Sequence, residues 1–307
     1  MKHLLEEKRA SAKAYVLITP ARNEEAYIEK TIKSVISQTV LPEKWVIVND
    51  GSSDHTADIV NEYACQHNFI KLVNVSRSGE RNFGAKVRAF QQGYEYLKDT
   101  NFDFLGNLDA DVEFDTNYFE KILVHFHENP RLGIAGGLIL ELDGNDFIEQ
   151  NISLSSVAGA VQLFRRQCYT EIGGLIPLQL GGEEIIVEVM ARKQGWCVQT
   201  FPALKVFHHR RVAAIKGKIL RARFRQGIMN YSLGYHPLFQ FLRCVLRVKD
   251  KPYFTGSMLM LFGYGWAALS RYPKVVSDDF MKYLRVEQVS RLWSIFPHAQ
   301  RKHQFGD

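Results

Sequence analysis

The chain has 307 residues, with 39 basic and 33 acidic side chains giving a formal charge of +6. That length accommodates one large α/β domain, or a catalytic domain with a smaller appendage, and is enough to bury a substantial core. So modest an excess charge says little as an average and no nucleic-acid partner is expected. Cys65, Cys168, Cys197 and Cys244 are too scattered for a CxxC pair or a zinc-ligand spacing and fit a reduced environment.

The first residues include Lys2, Glu6, Glu7, Lys8 and Arg9 and lack the apolar core of a signal peptide, so the catalytic part is expected in the cytoplasm. Residues 14–19 form a short β-rich run ending at Pro20. Behind it Ile28, Ile32, Val35 and Ile36 recur on one helical face. Residues 45–49 are a second strand, followed by Asp50-Gly51-Ser52-Ser53-Asp54 and a helix carrying Ile59, Val60, Tyr63 and Ala64. A third unit runs from residues 71–75 through the Gly84 region into a helix with Val87, Phe90, Tyr94 and Leu97, and residues 104–108 form a fourth strand. Repeated strand, polar loop and helix predict a parallel sheet covered by helices. Ligands of such sheets sit beyond the carboxyl ends of the strands, so the polar clusters after these four strands are expected to face one site.

From about Gly133 the repeat is lost: residues 134–140 and 157–164 read as strands and 181–194 as a helix. Residues 205–225 hold eight Lys or Arg and no acid, and residues 252–270 hold no charge at all. The uncharged stretch approaches the roughly 20 residues of a membrane span, but its glycines, proline and hydroxyl residues favour shallow insertion, with a spanning helix, a buried helix or an oligomer contact as the other readings. Together the two segments predict contact with an anionic membrane surface.

The acidic stretch Asp109-Ala110-Asp111 follows the fourth strand. A turn there would direct two hard oxygen donors at one ligand, which suits Mg²⁺ or Mn²⁺ with diphosphate oxygens completing the shell. Asp50-Gly51-Ser52-Ser53-Asp54 offers a strand-end carboxylate and a turn able to start a helix, and residues 20–24 supply both a cation and a carboxylate.

Ile18-Thr19-Pro20-Ala21-Arg22-Asn23-Glu24-Glu25, Val48-Asn49-Asp50-Gly51-Ser52-Ser53-Asp54, Arg81-Asn82-Phe83-Gly84-Ala85-Lys86 and Leu108-Asp109-Ala110-Asp111 resemble, in order and spacing, successive motifs of glycosyltransferase family 2. The resemblance covers about residues 13–211. It implies an α/β fold of the GT-A type, a Rossmann-like mixed sheet with helices on both faces. Residues 13–111 would form the nucleotide-sugar half, 112–211 the acceptor half, and 212–307 a helical region that is membrane-associated or oligomerising. It also implies inversion at the anomeric carbon.

By the same resemblance Pro20, Arg22 and Glu24 border the nucleotide and Asp50 contacts its base or ribose. Arg81 and Lys86 lie near the nucleotide or diphosphate, Asp109 meets the nucleotide-sugar, and Asp111 is the more direct metal ligand. Gly181-Gly182-Glu183-Glu184 resembles the family's Gly-Glu-Asp region, whose last acid commonly acts as base. Glu184 holds that position with one methylene more than the usual Asp, and Glu183 is the neighbouring alternative. Val206-Phe207-His208-His209-Arg210-Arg211 resembles the segment that returns a histidine and cations toward the diphosphate. His208 is the preferred match, with His209 as competitor. Arg210 and Arg211 would stabilise the departing nucleotide, bind an acceptor phosphate or face a membrane.

The implied enzyme takes a nucleoside-diphosphate sugar and a glycan or polyprenyl-phosphate-linked acceptor, works at the cytoplasmic face of the membrane or in the cytoplasm, and is a possible homo-oligomer. The processive signature Gln-x-x-Arg-Trp is not found after residue 211, so one sugar or a few are expected per acceptor. The competing classes are a sugar-phosphate nucleotidyltransferase, which lacks its glycine- and arginine-rich loop here, and a noncatalytic glycan- or membrane-binding protein.

Overall fold

The computed structural model describes residues 14–76, 84–150, 152–209, 216–248 and 252–295. They divide into two compact units, one holding the described residues up to 179 with 183–209, the other holding 180–182 and those from 216 onward.

The first unit begins with β1 (Tyr15–Ala21), β2 (Lys44–Asp50), β3 (Ile70–Val75) and β4 (Phe104–Leu108), all parallel and ordered β3-β2-β1-β4. β1 and β2 are buried along most of their length, as strands covered on both faces must be, and so read as unbroken apolar runs. Between them lie α1 (Ile28–Ile36), α2 (Thr56–Gln66) and α3 (Gly84–Glu95). α1 is helical because Ile28, Ile32 and Val35 share one buried face, while Glu29 and Lys33 pair at 2.9 Å on the solvent side.

Past β4 come β5 (Val112–Phe114), α4 (Tyr118–Glu128), β6 (Leu132–Asp143), β7 (Asp146–Glu149), β8 (Val161–Arg165), α5 (Arg166–Glu171), α6 (Glu183–Lys193) and β9 (Cys197–His208). β8 runs antiparallel to β4 and β6 antiparallel to β8. β9 lies parallel to β6, β5 pairs antiparallel with β9, and β7 folds back on β6. One face of this mixed sheet is covered by α1, α2 and α4 through Ile32, Val60, Phe119 and Ile122, the other by α3, α5 and α6 through Phe90, Tyr169 and Val187.

Two sequence expectations are corrected. The strand read over 157–164 starts only at Val161, because residues 157–160 form a loop held by side chains of α6. The helix read over 181–194 is Glu183–Lys193, since Gly181 and Gly182 have φ of 84° and 99°, outside the right-handed region. Of β9 only the end around His208 reads as a short strand in the sequence, and its longer first part, like β5 and β7, does not.

The second unit is helical: α7 (Lys216–Ser232), α8 (Pro237–Leu246), α9 (Tyr253–Leu269) and α10 (Asp278–Ile295). α7 and α9 meet backbone to backbone, since a side chain at Gly227 would strike the Met260 carbonyl and one at Gly263 the Phe224 carbonyl. Among the described residues no helix is long and apolar enough to cross a membrane. The 17 residues of α9 reach about 25 Å, short of a hydrocarbon core of about 30 Å.

Candidate active site

The loops after β1 and β2 are hydrogen-bonded into each other. Asn23 sits in the left-handed region at φ 53°, which Asn tolerates better than most residues, and its backbone N–H donates to Ser52 Oγ at 3.1 Å. In return Ser53 N donates to Asn23 Oδ1 at 2.9 Å. Asp54 accepts from Glu25 N and Thr56 N, both at 3.1 Å, and from the Thr56 hydroxyl at 2.6 Å. Asp54 is therefore the knot of the wall. Pro20, Arg22 and Asp50 stand half-buried along it and Glu24 is buried, its N–H bonded to Thr56 Oγ1 at 2.7 Å.

Asp109 and Asp111 flank the turn from β4 into β5. The turn is fixed on both sides: Asp109 N donates to the Ala160 carbonyl at 2.8 Å, and Thr31 of α1 exchanges two hydrogen bonds with the Val112 backbone. Pairing of β5 with β9 sets Val112 opposite His208, which turns the imidazole onto Asp111, Nε2 to Oδ1 at 3.2 Å. His209 faces away from this pair and bonds Glu113 at 2.8 Å. Ligand atoms of Asp109, Asp111 and His208 all lie within 4.8 Å of one another. Two carboxylates and an imidazole at that spacing are a donor set suited to a divalent cation.

The electrostatics agree with such a site. Burial raises the Asp109 carboxyl above its usual range, Lys86 pulls it down, and the neighbouring Asp111 charge pushes it up again. Burial works against a charged His208, but the hydrogen bond and charge of Asp111, with Asp109 behind, outweigh it and raise its pKa. Lys86 Nζ lies 2.5 Å from Asp109 Oδ1. Burial disfavours its charge too, and the Asp109 and Glu184 carboxylates more than compensate.

Glu183 and Glu184 open α6. Glu184 is half-buried, and its carboxylate lies directly on Gly159, where any Cβ would collide with it. The Gly159 carbonyl accepts from Asn107 Nδ2 at 3.0 Å and from Lys86 Nζ at 3.4 Å. Gly159 thus joins the Glu184 side of the cleft to the Asp109 side. One turn along the helix, Glu188 accepts from Ser156 Oγ and Val157 N, at 2.7 Å for the latter, gripping the loop that carries Gly159.

Glu183 is buried. Burial first, then the Glu184 charge, pushes its carboxyl up to about 7. Lys86, Asn107, Gln162, Glu183 and Glu184 line one narrow cavity.

Asn107, Gly159 and Glu188 escaped the sequence reading. Asn107, two residues before Asp109, was the only one with a positional signal. Arg81, Arg210 and Arg211 lie outside the described residues.

The sequence model of Glycosyl transferase family 2 matches residues 16–179, more than half of the chain. The chain belongs to glycosyl transferase family 2. Its mixed sheet with helices on both faces fits the GT-A fold. It is 34% identical over 115 residues to a poly-beta-1,6-N-acetyl-D-glucosamine synthase of Staphylococcus epidermidis, a match covering 38% of this chain and 26% of that protein. The synthase of the same name from Staphylococcus aureus strain COL is 30% identical with the same coverage. The match thus spans about a quarter of the length of these relatives.

Among solved structures, the fold is similar to that of "GalNAc-T7 with UDP, GalNAc and Mn2+", with a TM-score of 0.56, 15% identity, and coverage of 86% of this chain and 58% of that one. In this family 2 chain, residues 16–179 take in both strand-end loops, the acidic turn and Gly159. Glu184 and His208 lie beyond the matched segment.

Proposed function

We propose that this family 2 chain is a metal-dependent, inverting glycosyltransferase. It moves a sugar from a nucleoside diphosphate to a hydroxyl of a glycan or polyprenyl-phosphate-linked acceptor. Residues 13–211 act as the catalytic domain, with donor and acceptor halves meeting at the acidic turn. The enzyme works peripherally at an anionic membrane surface on the cytoplasmic side, in the synthesis of cell-surface or extracellular polysaccharide. The observation that carries this reading is the convergence of Asp109, Asp111 and His208 within 4.8 Å, at the carboxyl end of β4.

Pro20, Arg22 and Glu24 border the nucleotide, and Asp50 accepts from its base or ribose. Asp109, Asp111 and His208 would hold Mg²⁺ or Mn²⁺, and the bound ion supplies positive charge against the diphosphate. Lys86, Arg81, Arg210 and Arg211 add positive charge for the same leaving group. Glu184 takes the proton of the acceptor hydroxyl. The acceptor oxygen then forms its bond to the anomeric carbon as the bond to the diphosphate breaks and its electron pair leaves with the diphosphate oxygen. A single displacement inverts the anomeric centre. Glu183, its carboxyl pushed up to about 7 by burial and the Glu184 charge, is the neighbouring alternative for the base.

The named relatives make a polymer of N-acetylglucosamine, so nucleotide-linked N-acetylglucosamine is the first donor to test. A donor panel assayed with lipid extract, with product stereochemistry read by NMR, tests the reading. Transfer with inversion is expected. A retained configuration would overturn the mechanism, and nucleotide-sugar binding without transfer or hydrolysis across the panel would overturn the enzyme.

A further inference from the structure

α8 and α9 are patterned inside out. α9 turns Gly256, Ser257, Met260, Gly263 and Ala267 inward and leaves Phe254, Met258, Phe262 and Trp266 exposed, with Leu269 89% exposed at its end. α8 buries Gln240 and Cys244, the former accepting from Asn230 Nδ2 at 2.9 Å, and exposes Leu238, Phe241 and Val245 at helical spacing. A helix facing water does the reverse, burying its large apolar side chains and exposing polar ones. Small residues at the helix contact with bulky apolar ones outside is the arrangement expected where the surroundings are hydrocarbon.

Charge says which surface covers this face. Residues 216–274 hold eleven Lys or Arg and one acid, whereas residues 1–212 hold 23 basic and 28 acidic side chains. The excess of basic over acidic side chains thus falls in the segment that carries the apolar helices. α9 itself has no charged side chain and is too short to span, so its exposed face is suited to lie along an interface.

We propose that α8 and α9 form an in-plane docking face for an anionic phospholipid surface, with Phe254, Phe262, Leu238 and Val245 inserted below the headgroups and the arginines of α7 and α8 at headgroup level. This deepens the membrane-surface part of the reading above and rests on it. Long arginine side chains can keep their guanidinium groups at the phosphates while their stems pass through the apolar layer.

The test is flotation of the full chain with phosphatidylcholine vesicles, with and without phosphatidylglycerol, at low and high salt. Binding to the anionic vesicles is expected, weakened by salt and by omission of the anionic lipid. The double substitution Phe254→Ser/Phe262→Ser is expected to lower partition about tenfold or more, with melting temperature and nucleoside-diphosphate affinity unchanged. Leu238→Ser/Val245→Ser repeats the test from α8. Wild-type partition by both double variants, or no flotation of the wild type, would overturn the proposal. So would a dimer in light scattering that these substitutions dissociate, which would assign the face to a second copy. Flotation is read without donor or acceptor, so its failure and a failure of glycosyl transfer are separate results.

Discussion

α1 and α9 both carry large apolar residues and use them in opposite senses. In α1, Ile28, Ile32 and Val35 are fully buried while Glu29 and Lys33 meet solvent. In α9, glycine and alanine face inward and phenylalanine, tryptophan and leucine face outward. The difference lies in which residues occupy the inner stripe. Large side chains there gain stability by leaving water, whereas small ones let backbones approach and leave the large ones for another partner. The sheet unit should therefore answer to packing and active-site chemistry, and the helical unit to the membrane surface.

The largest expected effect lies wholly on one side of that contrast. Glu184→Gln removes the proposed base while nearly preserving size, and transfer should fall by about 10²–10⁴ in kcat. Donor binding and vesicle flotation should stay unchanged. Steady-state kinetics beside a donor-binding titration checks this, and wild-type transfer would reject Glu184 as the base.

The contrast itself is broken or sharpened by a pair of deletions. Ile32→Ala should cost about 3 kcal/mol of unfolding free energy, as a fully buried side chain leaves a cavity. Leu269→Ser should change stability by no more than about 0.5 kcal/mol and weaken vesicle binding instead. Urea unfolding and flotation of both variants separate the two roles. Equal destabilisation would mean that the outer face of α9 is a folding surface.

A smaller effect comes from Glu183, whose carboxyl is pushed up to about 7 by burial and by Glu184. The native state then binds this proton more tightly than the unfolded chain, whose carboxyl titrates near about 4.3. Its burial costs stability as pH rises from there toward 7. Glu183→Gln should accordingly gain about 1–3 kcal/mol over the wild type near pH 8 and almost nothing near pH 4.5, read by urea unfolding at both values. A gain of the same size at both would show that Glu183 carries no such shift.

The parallel strands β1 to β4 were legible because a strand buried on both faces is a continuous apolar run and each ends in a polar loop. β9 was not, because it carries Pro202 and alternates exposed with buried residues, so it reads as a broken polar segment. That cost the site a decision between adjacent histidines. Side chains in a strand alternate faces, and only the pairing of Val112 with His208 turns His208 onto Asp111 and His209 onto Glu113. Gly159 was invisible for another reason: its role is to lack a Cβ where Glu184 lies, a contact between residues 25 apart that no local pattern encodes. The apolar run from Val157 suggested a strand, yet Glu188 holds it as a loop from across the helix.

The central claim is that Asp109, Asp111 and His208 form one metal-dependent donor site. Calorimetric titration of a nucleoside diphosphate with and without Mn²⁺, on wild type and Asp111→Ala, tests it most directly. Mn²⁺ should strengthen binding to the wild type and add nothing to the variant. An equal Mn²⁺ enhancement in both proteins would contradict the site.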